Sequence, residues 1–253
     1  MAISTLAAAV GSNIDHWEQR IDLACAFRWT ARWNMHESVA NHFSIAVSDD
    51  GGQFLVNPRG RHFSRIRASE LILTDANDPS VMERPDAPDP SAWALHGGIH
   101  RRVRHARVIL HVHSKYATAL ACLKDPTLAP VENNTMRFYE RIAYDLGFEG
   151  MGLGDEAERV ASLAGDKPVM VLGNHGVMIM GPDVAQALDD LYHFERACET
   201  YITALQTGQE LSVVSHAVAA KTAQQWLDYP DLTANHFKAL KEILDEEEPD
   251  YRD

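Results

Sequence analysis

Residues 108–116 read VILHVHSKY, a β-branched run carrying two histidines, His111 and His113, with one valine between them. Successive side chains of a strand alternate faces, so Ile109, His111 and His113 share one face while Val108, Leu110 and Val112 share the other. Both imidazoles then point to the same side of a sheet. The chain holds 13 histidines in 253 residues, a frequency that yields roughly 0.7 His-x-His pairs by accident, so the pair means little without a third partner.

Downstream, KPVMVLGNHGVMIMG at 167–181 is apolar and β-rich but interrupted by Asn174-His175-Gly176, which places a third histidine at a turn between two buried strands. Asp183 follows as the cap of a long helix to about 206, with Gln186 as its capping-box partner and Val184, Ala187, Leu188, Leu191 and Phe194 as its buried stripe. ENNTMRFYERIAYDL at 132–146 has helical spacing, with Gly147 placed to end it. One or two helices and an acidic tail, DEEEPDYRD, complete the chain.

Upstream, residues 13–35 have the spacing of an amphipathic helix that Asn13 can cap. Two β-prone runs, 42–48 and 53–56, flank Asp49-Asp50-Gly51-Gly52 as a hairpin, and a further short strand falls at 70–74. The proline-rich stretch 78–91 reads as a loop over the surface or over a site. Helical spacing resumes in SAWALHGGIHRRV, where Gly97 and Gly98 weaken the helix but permit close packing on a sheet. The cluster HRRVRHAR at 100–107 reads as the cationic end of that helix.

The composition, 45% apolar with a formal net charge of −13, fits one α/β domain and disfavours nucleic acid as a partner. No run of about 18 apolar residues and no basic leader occur, so a cytoplasmic protein without a membrane partner is expected. Cys25, Cys122 and Cys198 are widely spaced and read as packing residues. Nucleotide-loop and serine-hydrolase motifs are missing, and GMGLG at 150–154 follows a helical pattern rather than a strand.

Chemistry therefore concentrates on His111, His113 and His175. Three neutral imidazoles suit a divalent metal and leave positions open for water or a chelating substrate. Spacing alone equally allows His175 to hydrogen-bond within its turn while the pair faces a polar cavity. A rival pair, His96 and His100, lies four apart on one helix face, but no glutamate stands beside His96 and the double glycine weakens that helix.

HARVILHVHSKYATALACLKD, KPVMVLGNHGVMIMGPDVAQALDDLYHFERAC and the earlier NHFSIAV…QFLVNPRG together resemble the class II aldolase/adducin family over roughly residues 10–210. The resemblance implies one domain spanning 1–253, with that core and a helical extension at 211–253. It implies a three-layer α/β/α sandwich around a largely antiparallel nine-stranded sheet, commonly a homotetramer with sites at subunit interfaces. It also implies that His111, His113 and His175 are divalent-metal ligands, with zinc first and manganese, cobalt or iron as alternatives.

Two departures bear on the reaction. Sugar-phosphate aldolases of the family carry a glutamate about nineteen residues before the first metal histidine, and here that position falls on Ala92. Their phosphate loop has a Gly-Asn-x-Ser character, where this chain has ANHFS, so a phosphorylated substrate is disfavoured. Both bring the sequence closer to the adducin-like branch. The expected function is a metal-dependent carbon–carbon lyase acting on a small hydroxy-carbonyl compound, with Glu132 and Tyr139 as replacement acid/base candidates. The alternatives are decarboxylation of a hydroxylated aromatic acid, with His42, Arg59 and Arg137 as carboxylate partners, and a non-catalytic interaction domain.

Overall fold

The computed structural model describes residues 14–147, 150 and 155–253. The expected cap Asn13 and residues 151–154 of GMGLG lie outside them. Helix α1 (Trp17–Arg32) opens the described chain and is followed by the hairpin of β1 (His42–Ala46) and β2 (Gln53–Val56), antiparallel with Ile45 opposite Leu55. β3 (Ile72–Asp75), α2 (Pro90–Arg102) and β4 (Val108–Val112) come next, then α3 (Lys115–Ala121), α4 (Asn133–Arg137) and β5 (Ile142–Asp145). α5 (Asp155–Ala164), β6 (Val169–Leu172), β7 (Gly176–Gly181) and α6 (Val184–Gln206) follow, and α7 (His216–Leu227) and α8 (Pro230–Glu247) form the C-terminal extension.

One mixed sheet runs in the order β3-β2-β1-β4-β7-β6-β5. β5 and β6 pair in parallel, and the other neighbours are antiparallel. β4 is thus central, with His111 opposite His42 on one side and Met178 on the other. The alternation read from the sequence holds. Val108, Leu110 and Val112 join the larger core under α1, α3, α6 and α8, whereas Ile109 joins a second core under α2 and α5. Helices thus cover both faces of the sheet.

Close packing of α2 explains its glycines. A Cβ at Gly97 would stand 2.8 Å from that of Ala76, so a larger residue would lift the helix off the sheet. Asp89 caps α2 by accepting from the Ser91 amide, and Pro90 occupies its first turn.

Three expectations are corrected. The described residues form one mixed sheet of seven strands, not the nine expected, and its β5–β6 pair is parallel. The helix expected over 132–146 is only α4, because Glu140 takes a left-handed φ of 58° and Ile142–Asp145 leaves as β5 alongside β6. One turn of helix gains little by itself, and pairing at a sheet edge outweighs its propensity. Asp183 does cap α6 through the Gln186 amide, but the Gln186 side chain donates to Asp190 instead of completing the box.

The acidic tail is clasped by two arginines of α1. The buried Arg28 donates to Glu248 and Asp250, Arg32 donates to Glu247 and Glu248, and the Tyr251 ring is fully buried against the main core. Among the described residues no helix is long and apolar enough to cross a membrane.

Candidate metal centre

His111 is the penultimate residue of the central strand, His113 follows directly after its end, and His175 sits in the turn between β6 and β7. Asn174 makes that turn at a φ of 59°, and its amide donates to the Ala121 carbonyl, while the His175 amide donates to Leu172. Gly176 lets β7 approach the strand end. A Cβ there would lie 2.6 Å from the Val112 carbonyl oxygen and 2.8 Å from the His113 ring. After His113 the chain is fixed by Glu195 of α6, whose carboxylate accepts from the Ser114 hydroxyl and from the Tyr116 and Ala117 amides at the start of α3.

The three rings converge, with centroids 4.8–4.9 Å apart and one ligand atom from each within 4.8 Å of the others. His111 Nδ1 lies 3.1 Å from the Val177 carbonyl oxygen, and His113 Nδ1 meets the Glu37 carboxylate. Both partners can only accept, so both imidazoles carry their proton on Nδ1. Their Nε2 atoms then face each other as lone pairs, 3.1 Å apart. Between two neutral rings such an arrangement is repulsive, and a cation bound by both lone pairs relieves it. Carboxylate and carbonyl partners on the far nitrogens are also the usual support for metal-binding histidines. Burial, followed by the neighbouring histidines, holds His111 well below the ordinary histidine pKa, which keeps it in the neutral, ligating form.

A cavity of about 340 Å³ opens on this trio, and His42, Ser91, Leu95 and Asn174 are among its other walls. His42 stands beside His111, ring centroids 4.9 Å apart, and burial, the largest influence, lowers its pKa to about 4. Ala92 does not face the cavity. It packs in a small apolar cluster with Phe54, Val56, Ile72 and Ala76, and the neighbouring Ser91 takes the cavity wall because adjacent helix positions point about 100° apart.

Of the expected acid/base and carboxylate-binding residues, only His42 lines this cavity. Arg59 is two-thirds exposed and lies 3.6 Å from Asp89. Arg137 is buried elsewhere, donating to Asp189 and Asp190 beside a second cavity of about 350 Å³ under α7 and α8. Glu132 is consumed as the cap of α4, accepting from the Asn134 and Thr135 amides. The Tyr139 hydroxyl is 3.0 Å from His216 Nδ1 on α7. All three follow from the short α4, whose cap and last turn face α6 and the extension rather than the end of β4.

His96 and His100 form no metal pair, since the Ser44 hydroxyl lies between them, 2.5 Å from one ring and 2.7 Å from the other. Glu37, Ser91, Asn174 and Glu195 were not found by sequence reasoning. Glu37 and Glu195 lie 76 and 81 residues from their partners, and no local pattern marks such pairs.

A seven-stranded α/β fold with a three-imidazole cavity at the end of its central strand defines the class to which this chain is compared. The sequence profile of the Class II Aldolase and Adducin N-terminal domain matches residues 21–202, and the chain belongs to that family. The crystal structure of an aldolase II superfamily protein from Pseudomonas syringae superposes with a TM-score of 0.86 at 32% identity, covering 97% of this chain and 100% of that one. A Caulobacter vibrioides protein, named provisionally as an aldolase class 2 protein, is 28% identical over 195 residues, 77% of this chain and 75% of its own. Human beta-adducin is 26% identical over a 264-residue alignment that takes in 96% of this chain and 36% of its own length.

Proposed function

We propose that His111, His113 and His175 hold a divalent metal, zinc first with manganese, cobalt or iron as alternatives, and that the chain is a carbon–carbon lyase for a small hydroxy-carbonyl compound. The observation that carries the reading is the pair of opposed Nε2 lone pairs at 3.1 Å, with a third imidazole completing the cluster. The donor set fits, because neutral imidazoles suit these ions and three of them leave positions open. A cation held there supplies positive charge beside a bound carbonyl, which stabilises the negative charge that develops as a carbon–carbon bond breaks.

This chain's own groups do the rest. Glu37 and the Val177 carbonyl fix the ring orientations of His113 and His111, while Leu95 presents an apolar wall and Ser91 and Asn174 present polar ones. No arginine or lysine lines the cavity among the described residues, which supports a substrate without phosphate. The same observation weighs against decarboxylation of a dicarboxylate, whose second carboxylate needs a cationic partner. The reading includes a homotetramer in the cytoplasm, with cavities at subunit interfaces where Tyr139 would serve a neighbour, Glu132 being held as the α4 cap. A monomeric mass by light scattering would remove that role.

The test is metal content after reconstitution and dialysis, with His113→Ala alongside, followed by aldehyde release from a panel of non-phosphorylated hydroxy-ketones. Near-stoichiometric metal in the wild type only, together with aldehyde release, supports the lyase. Equal, negligible metal in both proteins overturns it in favour of an adducin-like interaction domain.

A further inference from the structure

A line of buried polar groups runs from the cavity wall into the second core. His42 Nδ1 lies 2.7 Å from His96 Nε2, and His96 Nδ1 lies 2.5 Å from the Ser44 hydroxyl. That hydroxyl is in turn 2.7 Å from His100 Nε2, and His100 Nδ1 is 2.7 Å from the Ala106 carbonyl oxygen. His42, Ser44, His96 and His100 are all buried, and no carboxylate takes part in any of these links. The three rings are therefore neutral, each with one proton to place.

The carbonyl at the inner end determines where every proton goes. An oxygen of a peptide group can only accept, so His100 carries its proton on Nδ1 and offers a lone pair at Nε2. The Ser44 hydroxyl must donate to that lone pair, and its oxygen then accepts from His96 Nδ1–H. His96 Nε2 is consequently a lone pair, which accepts from His42 Nδ1–H. At the outer end His42 is left with an unprotonated Nε2. That atom faces the cavity, 3.4 Å from the Ser91 hydroxyl, which already donates to Asp89 at 2.6 Å.

We propose that the relay from Ala106 through His100, Ser44 and His96 fixes His42 as a hydrogen-bond acceptor in the cavity wall, so that the site selects substrates with a hydroxyl group at that point. This rests on the reading of the cavity as a substrate site and names the feature recognised there. A hydroxyl donates to the bare nitrogen, whereas a carbonyl or carboxylate oxygen would bring a second lone pair against it. His42 is thus a specificity-determining residue for a hydroxyl, not the carboxylate partner expected from the sequence. Ser44, His96 and His100 are positioning residues, which act on the ligand only through the tautomer of His42. The stakes are high for each link, because a buried polar group left unpaired costs more than a satisfied one contributes.

Long-range 15N–1H spectra of the full-length, metal-free protein read the tautomers directly. The expected result is a proton on Nδ1 of His42, His96 and His100, the minor tautomer of free imidazole side chains. Ser44→Ala removes the link and should return His42 to the Nε2-protonated form, while Ser44→Thr, which keeps the hydroxyl, should retain the wild-type pattern. A wild-type His42 protonated on Nε2 overturns the relay.

Recognition is tested on the zinc-loaded protein by titration with hydroxyacetone and with acetone. Wild type and Ser44→Thr should favour hydroxyacetone by tenfold or more relative to Ser44→Ala, with the His42 Nε2 resonance moving on binding. Equal discrimination in Ser44→Ala, or a His42 resonance that does not move, overturns hydroxyl selection. Failure of zinc binding would sink the metal reading while leaving the tautomer result standing, so the two failures are distinguishable.

Discussion

Replacing Glu37 by glutamine should weaken metal binding about tenfold while leaving the fold intact. The Glu37 carboxylate accepts the His113 Nδ1 proton, which orients the ring and makes Nε2 a better donor. Glutamine keeps an accepting oxygen but removes the charge, and charge-assisted hydrogen bonds are about twice as strong as neutral ones. Losing such a partner generally costs about 10- to 100-fold in metal affinity. The Glu37 side chain is 60% exposed, so water screens its charge and the low end of that range applies, about 1.4 kcal/mol. Competition with a chromogenic zinc chelator at fixed pH measures the ratio, with Glu242→Gln on α8 as an exposed-carboxylate control. Wild-type affinity in Glu37→Gln, beside a large loss in His113→Ala, would refute the supporting role.

Gly176→Ala should shift the Val112–His113 segment, because its Cβ would fall 2.6 Å from the Val112 carbonyl oxygen; a loss of about 1–3 kcal/mol in urea unfolding, with weaker zinc binding, is expected. Removing residues 248–253 leaves Arg28, whose side chain is 2% exposed, without either carboxylate and strips Tyr251 from the core. A fall in stability of about 3–5 kcal/mol should follow, and an unchanged thermal midpoint would show the tail to be solvated after all. His100 gives a pH signature. Burial lowers its pKa from 6.5 to about 4, so between those values the unfolded chain binds more protons than the folded one. Its contribution is complete above about pH 6.5 and is lost toward pH 4, amounting to about 3 kcal/mol. Urea midpoints of the metal-free protein at pH 7, 5 and 4 should fall accordingly, and less steeply in His100→Phe.

What the sequence made legible was what strand alternation and turn chemistry control. VILHVHSKY fixed which face of β4 is polar, GNHG supplied the turn, and Asp183 began α6 at its observed residue. What it hid depends on contacts between distant segments. The window 132–146 has helical spacing, yet pairing of Ile142 with Val169 turns its second half into a strand and withdraws Glu132, Arg137 and Tyr139 from the cavity. His96 and His100 were visible as a helical pair, but their role needs Ser44, which only the packing of α2 on β1 brings between them. Counting back from His111 reached Ala92, and a helix rotation of one residue put Ser91 on the wall instead. The clasp on the acidic tail was hidden too, because nothing local marks Arg28 and Arg32 as its partners, more than 200 residues away.

The most direct measurement is zinc-edge X-ray absorption on reconstituted wild-type protein, paired with His111→Ala, His113→Ala and His175→Ala. A divalent metal held by His111, His113 and His175 should give three nitrogen scatterers at about 2.0–2.1 Å with imidazole outer-shell features, and each variant should lose stoichiometric metal. Absence of bound zinc from the wild type, or a zinc signal that survives all three substitutions, would contradict the metal centre and the chemistry built on it.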